Sequence, residues 1–497
     1  MKTLITLFSF SCLVLAKMNA QNNPESDWLI QIGGTGSVTA SGISTDSKGN
    51  VFIAGNFHDT IDFDPSSEAM NVIAKNTKKA YSSDVFIQKL DQNGKLCWVK
   101  NIGGTSFRFR CNSFVLDSLD NIILTGVFRG TIDFNPGEDI NILNSNGRID
   151  VFVLKLDSNG NFIWVKQLGG NSSNNFSTNN TGESITVDQS NNICIVGHFQ
   201  GTTDFDPGKG VKELSSTRSY SADTFILKLN SNGNLVWVKQ FGGIGGANGK
   251  SILTDSLNSI FISGSFYDTI NNIPDSKINY LSAKGESDIF ILKLDASGKF
   301  KWVKQIGGKG VDYITSMTID PFNNLLITGI FSNLVDFDPS FNNLNLSSNG
   351  WGDMFVLKMD TSGHTVWARK YGGGSTDFGH SLTTDYSGNC YVIGSFDYDF
   401  ELPEYLNDSN LITKGKRDIV ILKINPKGNL IWYQHIGGKK WDRCNSITSD
   451  NNNIYFTGQF NDQIGFYNDS TETFLTPNTS GKNDFYIQKI NHNSTER

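Results

Sequence analysis

The chain has 497 residues, 42 basic against 49 acidic side chains and a net charge of −7. That mildly acidic balance argues against nucleic acid or anionic lipid as the main partner. Length alone permits two or three domains, and six cysteines without a CxxC pair read as small buried apolar residues, not as a disulfide framework or zinc site.

The first element, MKTLITLFSFSCLVLAKMNA (1–20), has a lysine at position 2, an apolar run from Leu4 to Ala16 and small residues suited to cleavage after Ala20. This is the pattern of a secretory signal peptide. The run is too short to span a bilayer, and Lys17 interrupts it. A lipoprotein anchor at Cys12 would need a polar continuation, whereas Leu13, Val14 and Leu15 prolong the apolar run. Removing residues 1–20 takes away Lys2 and Lys17 and no acids, leaving 40 basic and 49 acidic residues, a net charge of −9.

Next comes DWLIQIGG (27–34), a tryptophan-bearing strand closed by a glycine pair. It has the form of the second half of a hairpin. The complete hairpin follows six times: DVFIQKLDQNGKLCWVKNIGG (84–104), DVFVLKLDSNGNFIWVKQLGG (150–170), DTFILKLNSNGNLVWVKQFGG (223–243), DIFILKLDASGKFKWVKQIGG (288–308), DMFVLKMDTSGHTVWARKYGG (353–373) and DIVILKINPKGNLIWYQHIGG (418–438). Its first strand is almost continuously apolar, as when both faces are covered; its second carries a tryptophan amid polar alternation and should lie nearer solvent. A second hairpin alternates with it seven times, from SGISTDSKGNVFIAGNF (41–57) to NSITSDNNNIYFTGQF (445–460), with a turn at Asp-x-x-(Gly/Asn)-Asn and a closing Gly-x-Phe. The last strand, DFYIQKIN (484–491), is a first half without its second.

Two hairpins make a four-stranded sheet, and Trp28, Trp98, Trp164, Trp237, Trp302, Trp367 and Trp432 recur at spacings of 70, 66, 73, 65, 65 and 65 residues. That is the size of a propeller blade with one long loop. The fold expected is all-β: a single seven-bladed β-propeller of four-stranded antiparallel blades over residues 21–497. The blades are approximately 38–104, 105–170, 171–243, 244–308, 309–373, 374–438, and 439–491 with 24–34. The ring is expected to close by pairing strand 27–34 with strand 484–491, leaving no sheet edge to recruit another chain.

In these residues the chain resembles the SBBP family of bacterial β-propeller repeats. That pattern runs Asp-x-x-Gly-Asn-hydrophobic-x-x-Gly-x-Phe, then Asp-hydrophobic-Phe-x-x-Lys-Leu-Asp-x-x-Gly-x-x-x-Trp, then Gly-Gly, and the likeness covers essentially all of 27–491. It implies a secreted or cell-surface bacterial β-propeller, whether periplasmic, surface-held or extracellular. Family members are often fused to a C-terminal sorting or adhesion module, whereas this chain runs on only into NHNSTER (491–497).

Position within the repeat separates scaffold from site. The hairpin aspartates (Asp84, Asp150, Asp223, Asp288, Asp353, Asp418, Asp484) and lysines (Lys89, Lys155, Lys228, Lys293, Lys358, Lys423, Lys489) recur in every copy. Such residues serve the blade: turn hydrogen bonds for the aspartates, contacts between blades for the lysines. The face bearing the long b–c arms, 27 positions from Phe57 to Asp84 and 22 from Phe128 to Asp150, is where loops on a rigid scaffold would carry function. At the expected channel mouth, Ser41, Asn112, Glu183, Lys250, Thr315, His380 and Asn445 form a ring that differs in every copy. Beside it lie Arg108, Arg110, Asp312, Tyr313, Asp377, Phe378, Trp441, Asp442 and Arg443. With His380, these are the candidate ligand residues: aromatics beside charged groups suit a glycan or a peptide.

The arms repeat TIDFDP (60–65), TIDFNP (131–136), TTDFDP (202–207) and VDFDP (335–339). Asp62 with Asp64, Asp204 with Asp206, and Asp336 with Asp338 offer paired carboxylates to calcium. The competing reading, a turn begun by Asp-Pro with its phenylalanine wedged between blades, is preferred because no further oxygen ligand recurs at fixed spacing. No other cofactor is expected. The six histidines lack an HxxxH spacing, and there is no Gly-x-Ser-x-Gly elbow or phosphate-cradling glycine loop. A non-catalytic binding scaffold for glycan or extracellular protein is therefore expected. The alternatives are a glycan hydrolase or lyase using Asp377 and Asp442 with His380 or Tyr313 as proton carrier, and a purely structural envelope component. The long polar insertion NSSNNFSTNNTG (171–182) is expected to be a mobile loop.

Overall fold

The computed structural model describes residues 26–491, apart from 67, 76–82, 171–178, 339–342, 407–409, 451 and 468–471. The leader at 1–20 and most of the insertion at 171–182 lie outside the described residues. Among the described residues, every regular element is an antiparallel strand except one three-residue 3-10 turn, Glu404–Leu406.

The repeat folds as read. Ala247–Thr254, Ile260–Phe266, Asp288–Leu294 and Phe300–Ile306, here strands a to d, pair in that order into one sheet. Both middle strands bury nearly every side chain while d shows a half-buried pattern, as the continuous apolar and the alternating runs require. The same a-b-c-d order recurs along the chain. At its end Arg443–Ser449, Asn453–Phe460 and Asp484–Asn491 take Ser26–Gly34 as their fourth strand, with Ile30 opposite Ile487 and Ile32 opposite Phe485. Each a strand touches the a strands of the neighbouring sheets, and the first, Val38–Thr45, touches Arg443–Ser449 of the last.

The core lies between sheets. One cluster joins Phe52, Ile87 and Ile102 of one sheet to Phe128, Phe152 and Leu154 of the next. Another joins Ile32, Phe485 and Ile487 to Val51, Phe57 and Phe86, across the two ends of the chain. The strand-d tryptophans cover the seams from outside: Trp28 Nε1 donates to Gln92 O, Trp302 Nε1 to Thr361 O and Trp367 Nε1 to Pro426 O, each at the c–d turn of the following sheet.

Two features differ from the sequence reading. No loop separates the two sheets at 104/105, because Leu96–Leu116 is one continuous strand that serves as d of one sheet and a of the next, changing partner after Ile102. The alternating segment Ser106-Phe107-Arg108-Phe109-Arg110 has the period of a strand and pairs with Ile122–Asp133 instead of looping out. The b–c arms, read as loops, begin as short hairpins such as Thr60–Asp62 with Asn71–Ile73. Their first strand docks on the glycine pair of the preceding sheet, with Gly33 opposite Asp62 and Gly34 opposite Ile61. This explains the recurrent Gly-Gly. A Cβ on Gly33 would lie 2.1 Å from Asp484 Cγ, and one on Gly34 would lie 2.4 Å from Thr60 O, so the first glycine admits the carboxylate and the second the arm backbone.

Candidate functional site

The ring expected at the channel mouth is built by a backbone defect. Every a strand carries a slip in pairing register at one equivalent position, and the seven extra residues there are Ser41, Asn112, Glu183, Lys250, Thr315, His380 and Asn445. A β-bulge re-aims a side chain, and here all seven line one central cavity of about 490 Å³. Several also bind the neighbouring sheet: Asn112 Nδ2 donates to Gly182 O (2.9 Å), Thr315 Oγ1 to Gly379 O (2.7 Å), and Asn445 Nδ2 to Ala40 O (2.7 Å), which ties the last sheet to the first. Lys250 Nζ pairs with Glu183 Oε2 at 2.9 Å. His380 Nε2 lies 2.8 Å from Ser395 Oγ; burial, with Arg417 and Arg443 nearby, pulls its pKa down to about 4 and leaves it neutral at pH 7.

Two residues before each bulge stand Thr39, Arg110, Thr181, Asn248, Tyr313, Phe378 and Arg443. Four of the candidate residues are thus one register position in four repeats. Between the last, first and second sheets this level opens into a cavity of about 770 Å³ that brings Arg108, Arg110 and Arg443 together. Arg108 and Arg110 flank buried Phe109 on one strand and so share a face. Burial, with Arg110 and Arg148 close by, lowers the pKa of Arg108, and Glu183 opposes that shift. The walls are tied down: Thr39 Oγ1 donates to Gln459 Oε1 (2.7 Å), Asn56 Nδ2 to Phe109 O (2.9 Å) and Ser83 Oγ to Phe109 O (2.8 Å).

A smaller cavity of about 350 Å³ shares Arg443, Gln459 and Asn483 with it and adds Trp441, a residue 44% exposed. Arg417 holds that ring. Its guanidinium lies 4.8 Å from the Trp441 centroid and 5.0 Å from Phe378, and is fixed by two 2.7 Å contacts to Asp397. Phe378 stacks on His380 in turn, with centroids 6.0 Å apart.

Three expected site residues are enclosed by the protein. Asp312, Asp377 and Asp442 are at most 2% exposed. Each closes its d–a turn by accepting the N–H of the second glycine, Gly308, Gly373 or Gly438, at 2.7–2.9 Å. They are one structural device used three times, and the strand alternation that turns Tyr313, Phe378 and Arg443 outward turns their aspartates inward. Burial raises their pKa to about 6 for Asp312 and about 8 for Asp377 and Asp442.

The paired arm carboxylates serve turn amides. Asp62 Oδ1 accepts Asp64 N–H and Met70 N–H, Asp64 Oδ1 accepts Ser66 N–H, and Asp204 and Asp336 repeat the first pattern with Asp206 and Asp338. Phe63, Phe134, Phe205 and Phe337 are fully buried wedges. The hairpin aspartates hold the arms' returning ends, as Asp84 does through Lys75 N–H at 2.7 Å. Lys89, Lys155, Lys228 and Lys358 pair with the a–b turn of their own sheet, as in Lys155–Asp117 at 2.8 Å, and some lysines reach the next, as in Lys228 Nζ to Ala296 O at 3.1 Å. Cys111, Cys194, Cys390 and Cys444 are buried, while Cys97 is exposed.

Sequence reasoning missed His58, Asn56 and Gln459, which also line the large cavity. Asn56 and Gln459 are the variable residue of Gly-x-Phe, and His58 directly follows that motif. Variation inside an otherwise fixed tripeptide was a signal available in the sequence.

Three segments of the chain, 27–56, 301–329 and 366–395, match the SBBP beta-propeller repeat. Each match starts on a strand-d tryptophan segment and runs through the a and b strands that follow. An uncharacterized WD repeat-containing protein, L264, of Acanthamoeba polyphaga mimivirus is 22% identical over 96% of this chain. The chain spans about 40% of the length of that relative. A solved protein of unknown function from Dyadobacter fermentans is similar at 10% identity and a TM-score of 0.39, over 94% of this chain and 99% of that one. The WD40 domain of Neurospora crassa Pan2 is similar at 9% identity and a TM-score of 0.34, over 71% of this chain and 86% of that one.

Proposed function

We propose, for a chain that carries SBBP beta-propeller repeats, that it is a closed seven-bladed propeller, exported through its N-terminal leader, which binds glycan or extracellular protein without catalysis. The pairing of Ile30 with Ile487, the cluster shared by both chain ends and the Asn445–Ala40 bond support the closed ring. The observation that carries the binding reading is the large cavity at the mouth. Residues that recur in every repeat are spent on amides, turns and seams, whereas those around the cavity differ from repeat to repeat and stand on a rigid, hydrogen-bonded wall.

The placement of its acids weighs against the enzyme alternative. Asp377 and Asp442, the acids it would use, are enclosed and hold glycine amides. A general acid must reach the proton it transfers.

Thermal unfolding against a panel of neutral and acidic polysaccharides, peptidoglycan fragments and extracellular proteins, each with calcium and with chelator, tests the reading. A ligand at 100 times its dissociation constant stabilises by about 2.7 kcal/mol. A ligand-specific rise in Tm abolished by Arg443→Gln supports the mouth as the site. Turnover of any panel glycan, or no shift across the panel, overturns it, the latter in favour of a structural role.

A further inference from the structure

We infer that the smaller cavity at the mouth takes a neutral pyranose, one unit of an uncharged glycan, stacked on Trp441 with its hydroxyls held by Arg443, Asn461 and Asn483. This rests on the binding reading above and names the ligand class and the place where it docks.

The first ground is an indole fixed in advance. Trp441 and Arg443 flank the buried Asp442 on one extended segment and so share a face. The backbone there is tied down, since Trp441 forms an isolated bridge with Arg417 and the Asp442 N–H donates to Arg417 O at 3.1 Å. The Arg417 guanidinium covers one side of the ring, 4.8 Å from its centroid, and is itself held by Asp397 and packed on Phe378. The exposure of Trp441, 44%, therefore falls on the other face and the edge, beside the cavity of about 350 Å³. Small-molecule sites begin at about 300 Å³, so the space matches a ligand of one or two sugar rings. A ring already held in place loses little freedom when a ligand stacks on it.

The polar lining decides the class. Asn461 Oδ1 is buried without a donor among the described residues. The Asn483 backbone is taken by the first sheet, its N–H donating to Ser37 Oγ at 3.2 Å and its carbonyl accepting the Val38 N–H at 2.9 Å, which fixes the root of its side chain at the cavity wall. Gln459 is spent on Thr39 at 2.7 Å and carries no part of the assignment. An acceptor lacking a donor, in one cavity with a guanidinium that can only donate, calls for a ligand group that does both. A hydroxyl does so, whereas a carboxylate cannot donate to Asn461 and an ammonium cannot accept from Arg443. The flat partner that carries hydroxyls around its edge is a pyranose, and its C–H face meets the indole. The Arg443 charge beside the ring also disfavours a lysine side chain as its partner.

Calorimetric titration of the chain with neutral gluco-, galacto-, manno- and N-acetylglucosamine tetrasaccharides tests this, with an oligogalacturonate and a lysine-rich peptide as comparators. The expected result is that at least one neutral tetrasaccharide binds, with an affinity that added salt changes by less than about twofold. Trp441→Ala and Asn461→Ala should each weaken that binding about tenfold or more, with Tm within a few degrees of the parent. Trp441→Phe, which keeps a stacking ring, should weaken it less than Trp441→Ala. Binding unchanged in Trp441→Ala and Asn461→Ala overturns this site and leaves the glycan scaffold standing. Tighter binding of the oligogalacturonate or of the peptide overturns the neutral class. Failure of every neutral tetrasaccharide to bind overturns the inference outright, while an extracellular protein that raises Tm would still uphold the binding reading above.

Discussion

Trp28 lies opposite Lys489 in the antiparallel ladder that joins the two ends of the chain, the same partnership that Trp98 makes with Lys89 and Trp302 with Lys293 inside continuous hairpins. The seventh hairpin is therefore the ordinary one with its turn left open. Ser26 pairs with Ile490, and adjacent strands lie about 4.8 Å apart, so a short linker joins them. A permutant with residues 491 and 26 linked and new ends in the Asp91–Lys95 turn is predicted to melt within a few degrees of the parent. Deleting residues 1–34 should cost far more. Ile30 and Ile32, 9% and 1% exposed, are worth roughly 3–6 kcal/mol between them at about 1.5–3 each, a large share of a typical stability. Equal melting of the truncated and parent chains would remove the terminal pairing as a support of the fold.

The Gly-Gly pair should behave as a packing requirement. At Gly307 a Cβ would lie 2.3 Å from Asp288 Cγ, so Gly307→Ala is predicted to lose about 1–3 kcal/mol by crowding. Asp288→Ala costs a similar amount for another reason, since the Lys284 N–H (3.2 Å) loses its acceptor and Gln305 Nε2 keeps only Ser282 O of its two. In the double variant the methyl occupies the space the carboxylate vacates, and its loss, read by urea unfolding, should be smaller than the sum of the two. Strict additivity would mean that the alanine strains something other than this contact.

Asp442 makes stability depend on pH in an uncommon direction. Burial, with Asp418 beside it, pushes its pKa up to about 8, against roughly 4 in the unfolded chain. Between those values the folded state keeps a proton that the unfolded state has released, so this group's stabilisation, full below about pH 4, declines as pH rises through 8. Asp377 acts in the same sense. Asp377→Asn with Asp442→Asn keeps an acceptor for the Gly373 and Gly438 amides and removes the titration. The parent should lose stability from pH 5 to pH 9 in urea melts, and the double variant should lose less. Parallel slopes would show that neither carboxyl holds its proton.

The sheets were legible in the sequence because the repeat supplies internal replicates: strand period, turn residues and closing glycines recur in step, and the two orphan strands announce their partnership. The ring of Ser41, Asn112, Glu183, Lys250, Thr315, His380 and Asn445 was found by the complementary argument, as positions where the replicates disagree. Direction was harder to read. Asp312, Asp377 and Asp442 were placed beside Tyr313, Phe378 and Arg443 at the mouth, yet neighbours on a strand point opposite ways, and only the bulge fixes which way each goes. The clustering of Arg108, Arg110 and Arg443 was not legible, because it joins the second sheet to the last, more than 300 positions away along the chain.

His435 offers a test of how a broken symmetry is absorbed. It occupies the strand-d position where Gln31, Gln167, Gln240 and Gln305 each donate to the hairpin aspartate at 2.6–2.7 Å, and its Nε2 lies 2.6 Å from Asp418 Oδ2. The imidazole also packs 5.3 Å from Phe396 and 5.4 Å from Tyr467. Glutamine restores the bond and forfeits the ring contacts, so His435→Gln is predicted to cost about 0.5–1.5 kcal/mol. His435→Leu keeps apolar bulk and leaves the fully buried Asp418 short of a donor, which should cost about 1–3 kcal/mol. Urea melts of the two variants rank the terms: a larger loss for leucine makes the hydrogen bond to Asp418 the dominant one, and a larger loss for glutamine would assign the position to the aromatic packing of Phe396 and Tyr467.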